Sequence, residues 1–240
     1  MKLVTLFYTL SLALLVNTSA ATALASTSPV IVNSNFHTGY LPDGFDTNDS
    51  VEIVGEGLLN NSCYRAANVD VNIDHANMRI ELSPKAYFYD SLCLQVLIPY
   101  HQVISLGILN AGRYSVVDTV RKLDLGEINV RLATSSSPDD FLYAPVSQAF
   151  FKYESGSAFV TISGEFTNSC MRLSQVLMSV QPKVITVQPI MEMEEGVLCA
   201  DGMFPFERKV QVSGLSPKQR YLLHVRALNG KSINNLIQSE

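Results

Sequence analysis

The side chains able to do chemistry are few and scattered. His37, His75, His101 and His224 stand in no HExxH or HxH spacing and beside no cysteine cluster, so they do not write a zinc site. Serines are plentiful, but GxSxG, GxGxxG and Walker sequences are absent, which removes the usual warrants for a serine hydrolase or a nucleotide enzyme. No CxxC occurs to support a thioredoxin-like role. The densest polar stretch is DGFDTNDS, residues 43–50. Asp43, Asp46, Asn48 and Asp49 are hard oxygen ligands, and Asp-x-Asn-x-Ser from Asp46 imitates the start of an EF-hand loop. Val51 then stands where the glycine belongs and Gly57 where the closing glutamate belongs, so the expectation is a polar turn leading into a strand. No catalytic residue, metal ligand or cofactor is expected from these residues.

The cysteines carry the strongest pattern. NNSCYR (60–65) and TNSCMR (167–172) repeat Asn-Ser-Cys-x-Arg, and a second cysteine follows each at a similar distance, Cys93 after Cys63 and Cys199 after Cys170. Six residues further on stand Pro99-Tyr100 and Pro205-Phe206. VEIVGE (51–56) pairs with VTISGE (160–165), and ISLGILNAGRYSVV (104–117) with VQVSGLSPKQRYLLHV (210–225). Val120-Arg121-x-Leu123 pairs with Val225-Arg226-x-Leu228. Landmarks in one order over such a length indicate internal duplication, with a period far beyond that of solenoid repeats. The expected division is a first domain over 26–132, a linker over 133–140 (ATSSSPDD) and a second domain over 141–240. Four cysteines allow three connectivities. Duplication favours Cys63–Cys93 and Cys170–Cys199, because each copy must have folded alone. Closing such a loop stabilises a domain by roughly 3–4 kcal/mol in the chain-entropy model.

Residues 1–25 read as a secretory signal: Lys2, the apolar run LVTLFYTLSLALLV, then ALA ending at Ala25. The run is shorter than the roughly 20 residues a spanning helix needs, and no later stretch is long and apolar enough, so no integral membrane segment is expected in the mature chain. A secreted or periplasmic location follows, where paired cysteines oxidise. Apolar residues are 47% of the chain and charged residues 16%, enough to bury a core. Residues 26–130 hold 6 basic and 12 acidic side chains, and residues 131–240 hold 10 of each. Neither half has the basic field of a nucleic-acid binder.

Positioning all this are segments of period two, rich in Val, Ile, Phe and Tyr: VEIVGE, NVDVNID, MRIEL, AFVTISGEF, KVITVQP and RKVQVSG. They predict an all-β chain of two tandem antiparallel β-sandwiches with one disulfide each. GKSINNLIQSE at the end frames either a short helix or a strand, because the first copy has GEINVRL at the matching place. VSGLSPKQRYLLHVRALNG (212–230) is similar to the closing strands of immunoglobulin-like and fibronectin type III domains, through Leu215, Pro217, Tyr221 and Val225, with Leu109, Gly112 and Tyr114 in the first copy. The resemblance implies a tyrosine corner, in which the hydroxyl pins a turn to the backbone. There is no tryptophan, and the cysteine spacing is short for the usual inter-sheet bridge. The whole resembles uncharacterised exported bacterial proteins with tandem copies of such a domain, and it transfers no catalytic residue.

Two features remain as contact candidates. Arg65 and Arg172 follow their cysteines at one offset; they read either as paired binding groups, one per domain, or, the favoured use, as a salt bridge or backbone contact near the disulfide, with Glu56 and Glu165 as candidate partners. Tyr87, Phe88 and Tyr89 cannot all point inward on one strand, so at least one is expected on a contact surface. The expected function is non-enzymatic: binding or structural support, toward an unknown protein or surface ligand. The alternative is a hydrolase, or an inhibitor of an enzyme, with its site at the domain interface.

Overall fold

The computed structural model describes residues 28–135 and 141–240; the expected signal over 1–25 and most of the expected linker over 133–140 lie outside them. The described chain is built of strands, with one short 3-10 turn at Leu228–Gly230. The first half contains β1 (Val30–Asn33), β2 (Phe36–Tyr40), β3 (Val51–Leu59), β4 (Tyr64–Asp74), β5 (Arg79–Phe88), β6 (Ile98–Gly107), β7 (Gly112–Asp118) and β8 (Leu123–Val130). The second contains β9 (Val146–Glu154), β10 (Ser157–Asn168), β11 (Met171–Val180), β12 (Val184–Met193), β13 (Asp201–Val212), β14 (Arg220–Ala227) and β15 (Lys231–Gln238). The terminal stretch is therefore a strand, and it matches β8.

The duplication is visible strand by strand. In the first half β2-β3-β6 form one sheet and β4-β5-β7-β8 the other, with β1 added beside β5. In the second, β9-β10-β13 and β11-β12-β14-β15 repeat that order. Pairing is antiparallel except at β5–β7 and β12–β14, which are parallel in both copies. Alternation places one face of each strand in a core. Val51, Ile53, Ile80, Leu82, Ile104, Tyr114, Val116 and Ile128 close the first core, and Val160, Ile162, Ile185, Val187, Tyr221, Leu223 and Val225 the second.

The structure shifts the sequence alignment in two places. Gly57, not Gly55, is the counterpart of Gly164. Gly57 lies opposite Tyr100 and Gly164 opposite Phe206, the aromatics that follow each second cysteine. A Cβ at Gly57 would overlap the Asn35 carbonyl oxygen and press on the Tyr100 ring; at Gly164 it would meet the Pro145 carbonyl and Phe206. Each glycine lets a neighbouring backbone and a cross-strand ring close over the sheet. Val225 lies within β14 and Val120 in the turn after β7, so their sequence match is not a structural one.

The Asn-Ser-Cys motif is a clamp, made twice. The Cys63 N–H donates to Asn61 Oδ1 at 2.9 Å, and Leu94 N–H to Ser62 Oγ at 2.8 Å. The Cys170 N–H donates to Asn168 Oδ1 at 3.0 Å, and Ala200 N–H to Ser169 Oγ at 3.0 Å. Asparagine shapes the turn, serine catches the residue after the second cysteine, and the disulfides Cys63–Cys93 and Cys170–Cys199 lock the same two segments. The tyrosine corner forms in the second copy, where the Ser216 N–H donates to Tyr221 Oη at 2.8 Å. In the first copy the Tyr114 hydroxyl instead meets His75 Nδ1 at 3.0 Å.

Candidate binding surface

Two places gather side chains beyond what the cores need: the junction between the halves and the disulfide end of the first half. At the junction, the outer face of β3 packs on the outer face of β14. Inward residues alternate with outward ones, so Glu52, Val54 and Glu56 leave the first core on one side while Arg220, Leu222, His224 and Arg226 leave the second on the other. Tyr40, Val54, Val184 and Leu222 form a small apolar centre, with Leu236 against it. Around it runs a ladder of opposite charges. Arg220 Nη1 lies 2.9 Å from Glu56 Oε1, His224 Nδ1 lies 3.4 Å from Glu52 Oε1, and Arg226 pairs with Asp49. The order of these pairs makes β3 and β14 antiparallel across the junction.

The loop over residues 43–50 closes this junction. Asp49 holds Arg226, the Gly44 carbonyl accepts from Arg226 Nη1 at 3.0 Å, and Asp43 Oδ2 accepts from Ser179 Oγ at 3.0 Å. The Asp46 N–H donates to Asp49 Oδ2, and Asn48 N–H to Asp46 Oδ1. Its carboxylates thus serve the turn and the second half. Among the described residues no group of three or more His, Cys, Asp or Glu is placed to hold a metal ion. The guanidinium of Arg226 also lies over Tyr143, 4.7 Å from the ring centroid, and 5.3 Å from that of Phe45.

Glu52 accepts from Asn234 Nδ2 at 2.8 Å and from the Ser232 hydroxyl. The His224 ring is buried, with Nδ1 at 2.9 Å from Asn234 Oδ1. Two acceptors facing Nδ1 place the proton there, and Nε2 has no hydrogen-bond partner among the described residues. Burial holds the His224 pKa below its ordinary 6.5, opposed by the Asn234 hydrogen bond and Glu52, reinforced by Arg226, and opposed again by Asp43. Burial, followed by the hydrogen bond to Glu56, raises the Tyr40 hydroxyl. The cavity left beside His224, between Phe45, Glu52 and Ser232, is about 10 Å³, the size of one water.

This histidine gives a pH test with a definite sign. Its folded pKa is depressed, so the unfolded chain takes up the proton first as pH falls. The stabilising contribution is complete above about pH 6.5 and is lost as pH drops toward the folded pKa. Stability measured by urea unfolding should therefore decline as the pH falls below about 6.5, and His224→Gln should flatten that slope. An unchanged slope in the variant would assign the decline to other groups.

The disulfide end of the first half has a different character. Tyr87 and Phe88 are half-buried, Phe88 against the Tyr64 ring at 5.0 Å between centroids, and Tyr89 is exposed. Beyond them the loop from Asp90 to Leu97 puts Leu92 fully into solvent, with Leu94, Val96 and Leu97 also exposed. Val30 and Ile31 of β1, beside Phe88 and Tyr87, are exposed as well. The aromatic run was legible in the sequence and the leucines after it were not, because apolar residues around a cysteine read as core. The second copy also exposes Val197 and Leu198 before Cys199, but among Glu192, Glu194, Glu195 and Asp201. The paired arginines are not ligands of the glutamates expected for them. Arg172 Nε meets Glu192 at 2.5 Å, and Glu56 is taken by Tyr40 and Arg220. Arg65 is exposed on β4.

The described helix-forming content includes nothing long and apolar enough to cross a membrane as a helix. No curated protein and no solved structure matches the chain. A family model, the ORF11 beta-sandwich domain, matches residues 53–117, so the stretch from β3 to β7 that carries the Cys63–Cys93 clamp is similar to a known β-sandwich domain.

Proposed function

We propose that this is an exported, non-enzymatic binding protein in which two β-sandwich domains, 26–132 and 141–240, act as one body and the disulfide end of the first domain makes the contact. The observation that carries this reading is the concentration of exposed apolar side chains there: Val30, Ile31, Tyr89, Leu92, Leu94 and Leu97. Contiguous apolar exposure of this kind is characteristic of interaction sites, and aromatic residues anchor them. The clamp and disulfide hold the loop in shape before contact, which lowers the ordering cost of binding. The alternative, an enzyme or inhibitor site between the domains, is disfavoured by a junction filled with Val54, Val184 and Leu222 and by a cavity of about 10 Å³. The two disulfides are compatible with an extracellular location, and the signal reading of residues 1–25 supports export.

The test is comparative. Parent protein, Leu94→Asp and Leu198→Asp would be immobilised and exposed to secreted or periplasmic extract. Loss of bound material from the first variant alone is expected, by tenfold or more, since a hot-spot anchor contributes about 2 kcal/mol. Equal retention by Leu94→Asp and the parent would remove the disulfide end as the contact surface. Both sites are exposed, so unchanged melting temperatures serve as the folding control.

A further inference from the structure

The partner that this end is built for can be argued from its backbone. Among the described residues strand β1 pairs only with β5, so its other edge presents N–H and C=O groups that no described strand takes up. Neighbouring residues of a strand point to opposite faces, yet Val30 is 61% exposed and Ile31 is 62%. Both faces of β1 are therefore open at Val30 and Ile31, while Val32 is half-buried.

Natural sheets protect such edges with charges or bulges. The other described edges of the first half obey this. β4 carries Arg65, Asp70 and Asp74 and a bulge, and β8 carries Asp124 and Glu127. β2 and β6 have irregular registers against β3, and β6 also has Pro99. In the second half, β9, β11, β13 and β15 each carry lysine or arginine. β1 alone has a regular register and no charged residue, and SPVIVNSNF, residues 28–36, is uncharged throughout. The Lys85 ammonium bonds Asn33 Oδ1 at the far end of the strand, and beyond it Asp118 Oδ2 accepts from the Phe36 N–H. The exposed loop beside it, SLCLQVLIP over 91–99, is uncharged too.

We propose that this end joins two copies of the chain: β1 pairs antiparallel with β1 of a second copy, with the apolar loop packing beside the paired strands. The inference rests on the reading of the disulfide end as the contact surface and names its occupant. Charge selects that occupant. The first half holds 6 basic and 12 acidic side chains, so two copies brought together through other parts of it set like charges in opposition, whereas β1 and the 91–99 loop bring none. Antiparallel pairing of a strand with itself is self-complementary under two-fold symmetry, the commonest arrangement of homo-oligomers. An uncharged strand makes that pairing without like charges in opposition.

Sedimentation velocity of the purified, oxidised chain tests this over a range up to about 100 µM, where a dimer with a Kd of tens of micromolar would be populated. A reversible dimer is expected. Ile31→Lys and Ile31→Glu should each weaken it tenfold or more, and an equimolar mixture of the two should restore association. Leu94→Glu should weaken it as well. Ile31 and Leu94 are exposed, so the variants should melt like the parent. A parent that stays monomeric overturns the second copy as partner, while the extract experiment separately decides whether the surface binds anything. A dimer unaffected by the Ile31 variants, or a mixture that fails to restore association, overturns the β1 pairing.

Discussion

Replacing Arg226 with methionine is expected to lower stability by about 3–5 kcal/mol, the cost of breaking a buried ion pair from one side. Arg226 and Asp49 are both buried, and both leave their own sandwich to meet at the junction. Methionine fills much of the same volume, so the loss reports charge and hydrogen bonding more than a cavity. The variant leaves the Asp49 carboxylate buried and takes a donor from the Gly44 carbonyl. It also removes the cation stacked on Tyr143. Arg220→Met provides the contrast. Its partner Glu56 is buried, but the guanidinium is about half exposed, so water can take over part of the interaction and a smaller loss is expected. Urea unfolding at pH 7 checks both, and equal small losses would mean that the buried pair contributes little.

Cys63→Ala/Cys93→Ala is expected to cost roughly 3–4 kcal/mol, the entropy that a loop of this length regains in the unfolded chain. The remaining clamp, from Asn61 to Cys63 N–H and from Ser62 to Leu94 N–H, keeps the turn in place. The native fold should therefore survive at a lower midpoint rather than rearrange. Asn61→Ala in the oxidised protein removes one of these hydrogen bonds and should cost about 1 kcal/mol. Thermal unfolding with and without reductant measures the first effect. A parent whose midpoint is insensitive to reductant would show that the crosslink adds nothing.

The sandwich architecture was legible because period-two writing is dense in this chain: AFVTISGEF and KVITVQP became β10 and β12, with Ala158, Val160, Ile162 and Phe166 of the first and Ile185 and Val187 of the second in the core. The repeat was legible through cysteine, proline and aromatic landmarks. Its register over VEIVGE was misread: the letters of VEIVGE and VTISGE favour Gly55, whereas counting back six residues from each first cysteine reaches Gly57 and Gly164, the pair set opposite Tyr100 and Phe206. The parallel β5–β7 and β12–β14 pairs were also out of reach, because strand order is set by packing across a sheet and leaves no mark in local alternation.

The site was legible in part. Tyr87, Phe88 and Tyr89 stood out by aromatic content, whereas Leu92 and Leu94 carry the same letters as core leucines and differ only in where the loop throws them. The junction was nearly hidden. Asp49 looked like a turn residue or calcium ligand, and Arg226 looked like the end of a repeated strand. Their pairing spans most of the chain and depends on two strands that present alternate residues outward. A charged residue at a regular alternating position is the one signal that pointed there: Glu52 and Glu56 in VEIVGE, and Arg220, His224 and Arg226 in RYLLHVR, share the face opposite the core.

The outer faces of β3 and β14 lock the two sandwiches together. The direct measurement is a double-mutant cycle on Asp49→Ala and Arg226→Ala, followed by urea unfolding of all four proteins at pH 7. The structure predicts that the double variant is more stable than the sum of the single losses implies, with a coupling of about 2–3 kcal/mol. Single losses that add to within about 0.5 kcal/mol would contradict it, because independent side chains on separately tumbling domains have no energy to share.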